Sequence, residues 1–310
     1  MDIKRILIVG AGMMGKNIAF VMTANPAYTV GVYDLYETDL AAGIRANTQQ
    51  LVDKGILTAQ ELEERLERVA FTTDLESPLV SQADLVIEAV FEDMQVKRET
   101  FAKLEARCRP DTIFCTNSSV MSPSEISAQL THRERFVGTH FWNPGHLIPL
   151  VEVIKSDASS DAVAQTVLDV LTSVGKKAVL CKKDVPGFIA NRLQHALWRE
   201  AFYMVENGIA DAKTVDDACK YGPGLRWPIM GPMENSDLVS ITLTKNIHDY
   251  ILPSLADNHE PSKCLAEMLE RGEDGFKTGK GWQSWTPEQM QASNDGLRAY
   301  LIDYLARQQQ

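Results

Sequence analysis

The 310-residue sequence has few of the features that mark membrane proteins, disulfide-linked proteins or nucleic-acid-binding proteins. It has no run of about 18 apolar residues, so we expect no membrane-spanning helix. The five cysteines are scattered without a C-x-x-C pair, which argues against a disulfide framework and a thiolate zinc site; no metal is predicted. Only 31 Lys and Arg stand against 42 Asp and Glu, and the net charge of −11 disfavours nucleic acid as a partner.

The N-terminal residues lack the pattern of a secretory signal peptide. Residues 1–5 lead directly into a strand-like run and then to Gly10, with no small-residue cleavage site. We therefore expect a cytoplasmic protein.

The segment GAGMMG, residues 10–15, predicts a dinucleotide-binding turn. A short apolar run precedes it and a helical pattern follows it, which is the context that G-x-G-x-x-G requires. The first glycine permits the tight turn, the second lets a pyrophosphate approach, and the third lets the helix pack against the strand. The helix N-terminus then faces the phosphates. The residues assigned to the cofactor from this motif are Gly10, Gly12, Met13, Met14 and Gly15.

Asp34 follows 19 residues after Gly15, at the end of the next strand-like segment. An acidic residue at this distance meets the adenosine ribose hydroxyls, and no arginine follows that could hold a 2′-phosphate. The sequence therefore predicts NAD as the cofactor. Glycines that serve only a tight turn are the alternative interpretation.

Further apolar runs predict strands at residues 83–89, 112–116, 136–140 and 150–154, with helical stretches among them. This alternation predicts an α/β fold with a Rossmann-type, doubly wound parallel sheet, whose ligands bind beyond the carboxyl ends of the strands. Polar residues that lie at or just past such ends are Glu88, Glu92, Asn117, Ser118 and Ser119. Helix capping is the alternative role for the two serines.

Residues 40–68 predict a charged pair of helices joined at Lys54-Gly55. Thr58 and Glu61 have the spacing of a capping box. The pair is either a solvated decoration, or a lid or grip for a long substrate.

His140 and Glu152 lie in two consecutive predicted strands with a turn at residues 143–145 between them. Such strands can bring the carboxylate to the imidazole, where it fixes the ring tautomer and raises its basicity. Next to a nicotinamide, the pair could take the proton of an alcohol while hydride passes to NAD⁺. A satisfied core histidine with a buried acid is the alternative, which these two residues alone would favour.

The sequence becomes largely helical after Pro186-Gly187. We predict a nucleotide-binding domain over residues 1–185 and an all-helical domain over 186–310 that binds substrate and mediates a homodimer, because its apolar stripes exceed the needs of one small core. Arg226, on a glycine- and proline-rich turn, binds a substrate carboxylate or is a surface arginine.

The sequence resembles the L-3-hydroxyacyl-CoA dehydrogenase family over nearly its whole length. Besides GAGMMG and Asp34, the segments that carry this resemblance are DLVIEAVFEDMQVK, TNSS, HFWNP with LVEVI, KDVPGFIANR, MGPMENSDLV and GFKTGKGW. The resemblance implies that His140 is the general base and that Glu152 orients it. Further implied roles are substrate contacts for Ser119 and Asn191, a position near the nicotinamide for Asn143, and cofactor contacts for Glu92 and Lys97.

Two segments depart from the acyl-CoA members of the family. The stretch GHLIP, residues 145–149, and the Arg226 turn look more like relatives that oxidise free hydroxy acids or alcohols, such as gulonate dehydrogenase with its lens-crystallin relative, carnitine dehydrogenase and a pyridine-carboxylate dehydrogenase. The helical pair around Lys54 resembles the part that grips CoA, but it is acidic here.

Three hypotheses follow from the resemblance. The first is an NAD-dependent 3-hydroxyacyl-CoA dehydrogenase of fatty acid metabolism, with Lys54 at the CoA. The second is a dehydrogenase of a small free hydroxy acid, with Arg226 as the carboxylate clamp. The third is a non-catalytic, NAD-binding relative.

Overall fold

The computed structural model describes residues 2–308; Met1, Gln309 and Gln310 lie outside the described part. The chain divides into two compact units, residues 2–190 with 298–308 and residues 191–297. The described strands are β1 (Arg5–Val9), β2 (Thr29–Tyr33), β3 (Val69–Thr72), β4 (Leu85–Glu88), β5 (Ile113–Thr116), β6 (Phe136–Phe141), β7 (Leu150–Lys155) and β8 (Lys177–Cys181).

Thirteen α-helices accompany these strands within residues 2–308. They are α1 (Met13–Met22), α2 (Leu40–Asp53), α3 (Ala59–Leu66), α4 (Pro78–Ser81), α5 (Met94–Glu105), α6 (Pro123–Ile126), α7 (Asp161–Ser173), α8 (Ala190–Glu206), α9 (Ala212–Tyr221), α10 (Pro232–Val239), α11 (Ile241–Ile251), α12 (Lys263–Glu270) and α13 (Pro287–Gln308). None of these described helices has the length and apolar character that crossing a bilayer requires.

The eight strands form one sheet in the order β3-β2-β1-β4-β5-β6-β7-β8. Strands β1 to β6 run parallel, β7 is antiparallel to β6, and β8 is parallel to β7. The chain order reverses direction between β1 and β4, which creates the crevice where such sheets bind ligands. The predicted Rossmann-type sheet is therefore confirmed.

The sequence did not locate β3 and β8, and both are short strands with mixed exposure at the two edges of the sheet. The central strands are buried on both faces, so their apolar runs stand out in the sequence. An edge strand has fewer buried residues, and its pattern is correspondingly weaker.

Each face of the sheet carries its own apolar core. On one face, α1, α2 and α7 pack together with Ile302 of α13, which is 2% exposed. On the other face, Phe101 of α5 contacts Phe136 of β6 edge to face, with ring centroids 4.7 Å apart. The sheet is therefore rigidly covered on both sides, while its carboxyl edge remains available for a site.

The predicted helical pair consists of α2 and α3, and the capping box of Thr58 and Glu61 is confirmed. Arg45 of α2 donates to both carboxylate oxygens of Glu63 on α3, at 2.8 and 2.6 Å. The apolar sides of both helices, including Ile44 and Leu62, belong to the core of the first unit. The pair is thus packed onto the sheet.

The second unit is helical, as predicted, and has little core of its own. Within residues 191–297, all of which are described, Ala256 and Met268 are the only buried residues. A cavity of about 790 Å³ lies inside this unit, and Phe202 of α8 stacks on Trp282 in its wall at 4.9 Å between ring centroids. Helices α10 and α11 leave most of their large apolar side chains exposed.

Candidate active site

His140 and Glu152 form a buried pair near the loop end of the β6–β7 hairpin. The two residues lie directly opposite each other in the antiparallel register. The imidazole Nδ1 lies 2.8 Å from Glu152 Oε2, with His140 4% exposed and Glu152 fully buried. The expectation that the two strands bring carboxylate and imidazole together is confirmed.

Three further donors converge on the Glu152 carboxylate. The backbone N–H groups of Ile189 and Ala190 donate to Oε1 at 2.8 and 3.0 Å, and Trp142 Nε1 donates to Oε2 at 3.4 Å. The two backbone donors are brought there by the turn at Gly187 and Phe188, whose φ angles are +76° and +50°. Phe188 adopts a left-handed conformation that costs a non-glycine residue free energy, so the turn is held by its surroundings.

These donors keep Glu152 ionised despite its burial. Burial raises the pKa of a carboxyl group, but the hydrogen bonds from His140, Ala190 and Ile189 outweigh it and hold the pKa of Glu152 below its ordinary value. An ionised carboxylate only accepts hydrogen bonds, so His140 must donate through Nδ1–H. The Nε2 atom then carries the lone pair of the neutral ring and can accept a proton.

The glycine turn lies where the sheet crevice opens. Gly10 has φ +104°, and a Cβ atom on it would lie 2.7 Å from the Ala89 carbonyl oxygen at the end of β4. Helix α1 starts after Gly12 without a side-chain cap, so its first N–H groups are available to an anion. A Cβ atom on Gly12 would meet no described atom within 4 Å, which is the open space that a pyrophosphate needs.

Asp34 directly follows β2 and lies beside this turn. Its Oδ2 accepts a hydrogen bond from Ala11 N at 2.6 Å, and its Oδ1 accepts one from Tyr36 N at 3.1 Å. The carboxylate is therefore fixed next to the glycine motif, with part of its surface still exposed. The arrangement fits NAD, since the acid stands where the ribose hydroxyls are expected.

A buried ion pair lies next to the glycine turn. Lys97 of α5 is 1% exposed, and its Nζ lies 2.7 Å from Glu88 Oε1 and 3.2 Å from Glu92 Oε2. Burial raises the pKa of Glu88, an effect that Lys97 and the Thr116 hydroxyl oppose. Sequence reasoning named Glu88 as a strand-end residue, but nothing local identified it as the partner of Lys97, nine positions away.

Glu92 connects this pair to the end of β5. Its Oε1 accepts hydrogen bonds from the Ser118 hydroxyl and from Ser119 N, the latter at 3.0 Å. Burial raises the pKa of Glu92, but the Ser118 hydrogen bond and the charge of Lys97 together have a larger effect in the opposite direction. The pKa of Glu92 is therefore lowered overall. The predicted residues Glu92, Lys97 and Ser119 thus belong to one hydrogen-bonded group at the carboxyl edge.

Asn117 links this group to the histidine strand. Its Oδ1 accepts a hydrogen bond from Phe141 N at 3.0 Å, directly after His140. Asn143 begins the loop that follows and is exposed. The sequence indicated that Asn117 lies at a strand end and Asn143 in the following turn, but not this cross-strand contact.

The remaining predicted residues are distributed over other parts of the chain. Lys54 is exposed at the C-terminal cap of α2 in the first unit. Asn191, in the first turn of α8, and Arg226, exposed after a short 3-10 turn, belong to the second unit. Among residues 2–308, no group of three or more His, Cys, Asp or Glu side chains is arranged to hold a metal ion.

Sequence reasoning missed Trp142, Ile189 and Ala190 as partners of Glu152. The two backbone donors carry no side-chain signature, and only the Pro-Gly at residues 186–187 marks a turn there. The indole of Trp142 sits two residues after His140 in the HFWNP segment.

Two family profiles together match almost the whole chain. The 3-hydroxyacyl-CoA dehydrogenase NAD binding domain matches residues 5–185, and the 3-hydroxyacyl-CoA dehydrogenase C-terminal domain matches residues 187–285. Both matches agree with the sheet and the helical unit described above.

Individual relatives fall into two groups. Human mitochondrial hydroxyacyl-coenzyme A dehydrogenase is 36% identical over 293 residues, 91% of this chain and 91% of that protein. The 5-formyl-3-hydroxy-2-methylpyridine 4-carboxylate 5-dehydrogenase of Mesorhizobium japonicum is 31% identical over 293 residues, 94% of this chain and 93% of that protein. A crystal structure of a pyridine-carboxylate dehydrogenase of this kind, described as an NAD⁺-dependent dismutase, has a TM-score of 0.87 at 30% identity and covers 98% of this chain and 97% of its own.

The glycine turn with its fixed acid, the His140–Glu152 pair and these matches agree with one another, and they argue against the non-catalytic interpretation. The chain belongs to the 3-hydroxyacyl-CoA dehydrogenase family and is an NAD-dependent oxidoreductase that acts on CH–OH groups.

Proposed function

We propose that this enzyme oxidises the 3-hydroxyl group of an L-3-hydroxyacyl-CoA to a ketone, with His140 as the general base and Glu152 as the residue that orients it. The observation that carries the proposal is the buried hydrogen bond between His140 Nδ1 and an ionised Glu152. A solvent-exposed histidine would share its proton with water, whereas this ring is held in one tautomer.

The proton chemistry follows from that tautomer. Glu152 accepts the Nδ1–H bond, so Nε2 is the atom that takes the hydroxyl proton of the substrate. The resulting imidazolium is stabilised by the adjacent carboxylate, as in other histidine–carboxylate pairs. Bound NAD⁺ supplies the hydride acceptor. The protein's contribution is the base, its orientation and the exclusion of water.

The cofactor is held by the glycine turn and Asp34. Gly10, Gly12, Met13, Met14 and Gly15 make up the pyrophosphate-binding turn, in which Gly15 allows the close packing of α1, and Asp34 binds the ribose. We assign Asn143 to a position near the nicotinamide, and Glu92 and Lys97 to contacts with the cofactor. Support comes from the carboxyl edge of the sheet, where Glu92 and Lys97 form one charged group.

Ser119 and Asn191 are assigned to the substrate oxygen and carbonyl. Ser119 follows the end of β5 and is exposed at the sheet edge. Asn191 begins α8 directly after Ala190, whose N–H group donates to Glu152. Its position in sequence next to a partner of the catalytic pair supports the assignment.

A small free hydroxy acid is the second candidate substrate, with Arg226 binding its carboxylate. It is favoured by the high similarity to the pyridine-carboxylate dehydrogenase structure. It is also favoured by the basic residues of the helical pair, most of which have partners. Arg45 binds Glu63, and the Arg65 guanidinium lies over the Phe20 ring, 5.3 Å from its centroid. Arg68 donates to the backbone carbonyl of Thr23. That leaves Lys54 as the residue of this pair for a CoA phosphate.

We further propose a division of labour along the chain, with residues 1–185 binding NAD and residues 186–310 binding substrate and forming a homodimer. The second unit buries few residues of its own, and the exposed faces of α10 and α11 carry Leu238, Ile241 and Ile247. Apolar faces of this extent are typical of subunit interfaces. We also propose that the protein is located in the cytoplasm and takes part in fatty acid metabolism.

The first experiment is NADH formation with excess NAD⁺ on a panel of L-3-hydroxybutyryl-CoA, L-3-hydroxybutyrate, L-gulonate and L-carnitine. Turnover of the thioester alone supports the first substrate, and turnover of a free acid alone supports the second. His140→Ala should retain NADH binding and lose about 10²- to 10⁴-fold in turnover. His259→Ala, an exposed histidine, is the matched control. Wild-type turnover by His140→Ala would refute the mechanism.

One arginine variant and one lysine variant distinguish between the two candidate substrates. Arg226→Ala should impair turnover of a free acid and leave an acyl-CoA largely unaffected. Lys54→Ala should raise KM for the thioester only, with the exposed Lys103→Ala as control. Equal effects of Arg226→Ala on both substrates would remove the reason for assigning it to the carboxylate.

A further inference from the structure

Lys176 is a buried cation without an acidic partner. It is 9% exposed, and no carboxylate among residues 2–308 forms an ion pair with it. Burial alone lowers the pKa of Lys176 to about 8. Burying an unpaired charge is unfavourable for folding. We therefore expect the hydrogen bonds of Lys176 to serve a role other than stability.

Both hydrogen bonds that the Lys176 ammonium group donates go to one loop. Its Nζ donates to the carbonyl oxygens of Gly145 at 2.6 Å and Ile148 at 2.8 Å. This loop, residues 142–149, connects the histidine strand β6 to the glutamate strand β7. Charge-assisted hydrogen bonds are stronger than neutral ones, so the ammonium acts as a clamp on the loop.

The same loop also lies against α1. A Cβ atom on Gly145 would be 3.3 Å from the Met14 Cε atom and 3.3 Å from the Asn17 Cβ atom. Met14 belongs to the glycine motif itself. The loop is therefore held both by Lys176 and by the helix whose N-terminus forms the cofactor cradle.

No other charge replaces the clamp. His146 is on the same loop, but burial and the positive charges of Lys176 and Arg298 lower its pKa to about 4, so it is neutral at physiological pH. The loop carries no acid of its own. Its other contacts are the turn at Pro144, packing against α1, and the backbone N–H of Lys177, which donates to the Pro149 carbonyl at 2.9 Å and is kept in any side-chain variant.

We infer that Lys176 is a positioning residue: by holding the carbonyl groups of Gly145 and Ile148, it fixes the 142–149 loop against α1 and so places Asn143 at the nicotinamide end of the cofactor site. The inference rests on the proposed role of Asn143. Lys176 acts through the loop and touches neither substrate nor cofactor.

The test compares wild type, Lys176→Met and Lys177→Met. Methionine keeps the volume and apolar stem but removes both donors. Lys177 is the adjacent, exposed lysine, so it is a matched control. The first readout is hydrogen exchange of the protein without cofactor, because Leu147 N–H and Ile148 N–H donate to the Pro144 carbonyl within the loop. Faster exchange confined to residues 142–149 in Lys176→Met supports the inference, whereas unchanged exchange or a uniform increase across β1 and β4 overturns it.

The second readout is NADH binding by fluorescence, together with single-turnover hydride transfer on whichever panel substrate the wild type oxidises. We expect ~10-fold weaker NADH binding, the worth of about one hydrogen bond. Hydride transfer should fall by up to ~10²-fold, the effect of a misplacement of about 1 Å. Wild-type values for both in Lys176→Met overturn the inference.

Two arrangements keep the outcomes separate. If the wild type oxidises no panel substrate, the proposed substrates fail, while loop exchange and NADH binding still decide the role of Lys176. If Lys176→Met does not fold, Lys176→Gln takes its place with the same readouts and the same expected direction, because it removes the charge and shortens the side chain by one bond. If neither variant folds, Lys176 is needed for stability alone, and the inference is overturned.

Discussion

A Cβ atom on Gly15 would lie 1.8 Å from the carbonyl oxygen of Gly10. The helix and the strand of the nucleotide turn therefore approach each other closely, and any side chain at Gly15 forces them apart. Gly12, in the same motif, has no such neighbour among the described residues. The two glycines serve different purposes, one for packing and one for the ligand.

Gly12→Ala and Gly15→Ala form a matched pair that tests this difference. Gly15→Ala should lower the free energy of unfolding by about 1–3 kcal/mol or more, as overpacking does. Gly12 has φ −68°, which alanine adopts freely, so Gly12→Ala should keep wild-type stability and weaken NADH binding. Thermal unfolding and fluorescence titration measure both. Equal destabilisation by the two variants, or wild-type NADH affinity in Gly12→Ala, would contradict the assignment.

The substitution Glu152→Gln hardly changes the shape of the side chain, but we expect it to reduce turnover strongly. Glutamine offers one acceptor oxygen and turns an NH₂ group toward at least one of the donors from His140, Ile189 and Ala190. We expect turnover to fall by about 10²- to 10⁴-fold, because the histidine tautomer is no longer fixed. NADH formation and near-UV circular dichroism give rate and fold in parallel. Near-normal turnover in a folded variant would show that Glu152 is not needed to orient the base.

Lys97→Met should destabilise the protein. It leaves Glu88 fully buried without its cation, and removing one partner of a buried pair typically costs about 3–5 kcal/mol. Urea denaturation measures the change, with Lys103→Met on the exposed side of the same helix as the control. The double variant with Glu88→Gln should recover part of the loss. A single variant as stable as the control would mean that water or another group compensates Glu88.

The buried ammonium of Lys176 predicts a dependence of stability on alkaline pH. Its pKa is about 8 in the folded protein, against an ordinary value of 10.5 that applies to the unfolded chain. Between these two values the unfolded chain binds more protons, so the contribution of this site to stability increases as the pH rises. Below pH about 8 the full cost of the buried charge is present. Urea midpoints of wild type minus those of Lys176→Met, measured across this range, should increase with pH; parallel curves would contradict the prediction.

Much of the sheet could be predicted because its central strands are buried on both faces. The runs around Ile8, Ile87 and Phe114 contain almost no polar residue, and the turn at residues 143–145 separates the two strands of the catalytic pair. The edge strands β3 and β8 were not located, since their half-exposed residues lack this continuity.

The surroundings of the site depended on contacts that are distant in sequence. Lys176 and Lys177 are identical neighbours in the sequence, yet one is buried and the other exposed. Which of them faces the 142–149 loop is decided by the register of β8 on β7. Likewise, the donors at Ile189 and Ala190 reach Glu152 only through the left-handed turn at Phe188. The predicted domain boundary near residue 185, and the roles of the individual site residues, remain predictions.

The last residues of the described chain return to the first unit, and this has a consequence for synthesis. Residues 298–308 join residues 2–190, with Ile302 packed in the core of the sheet, while residues 191–297 form the other unit. A chain emerging from the ribosome therefore cannot complete the core that contains β1 until α13 has been released. A chain that is cut or stalled before α13 would expose the apolar face that Ile302 covers, so we expect it to be degraded more readily than a chain that includes α13.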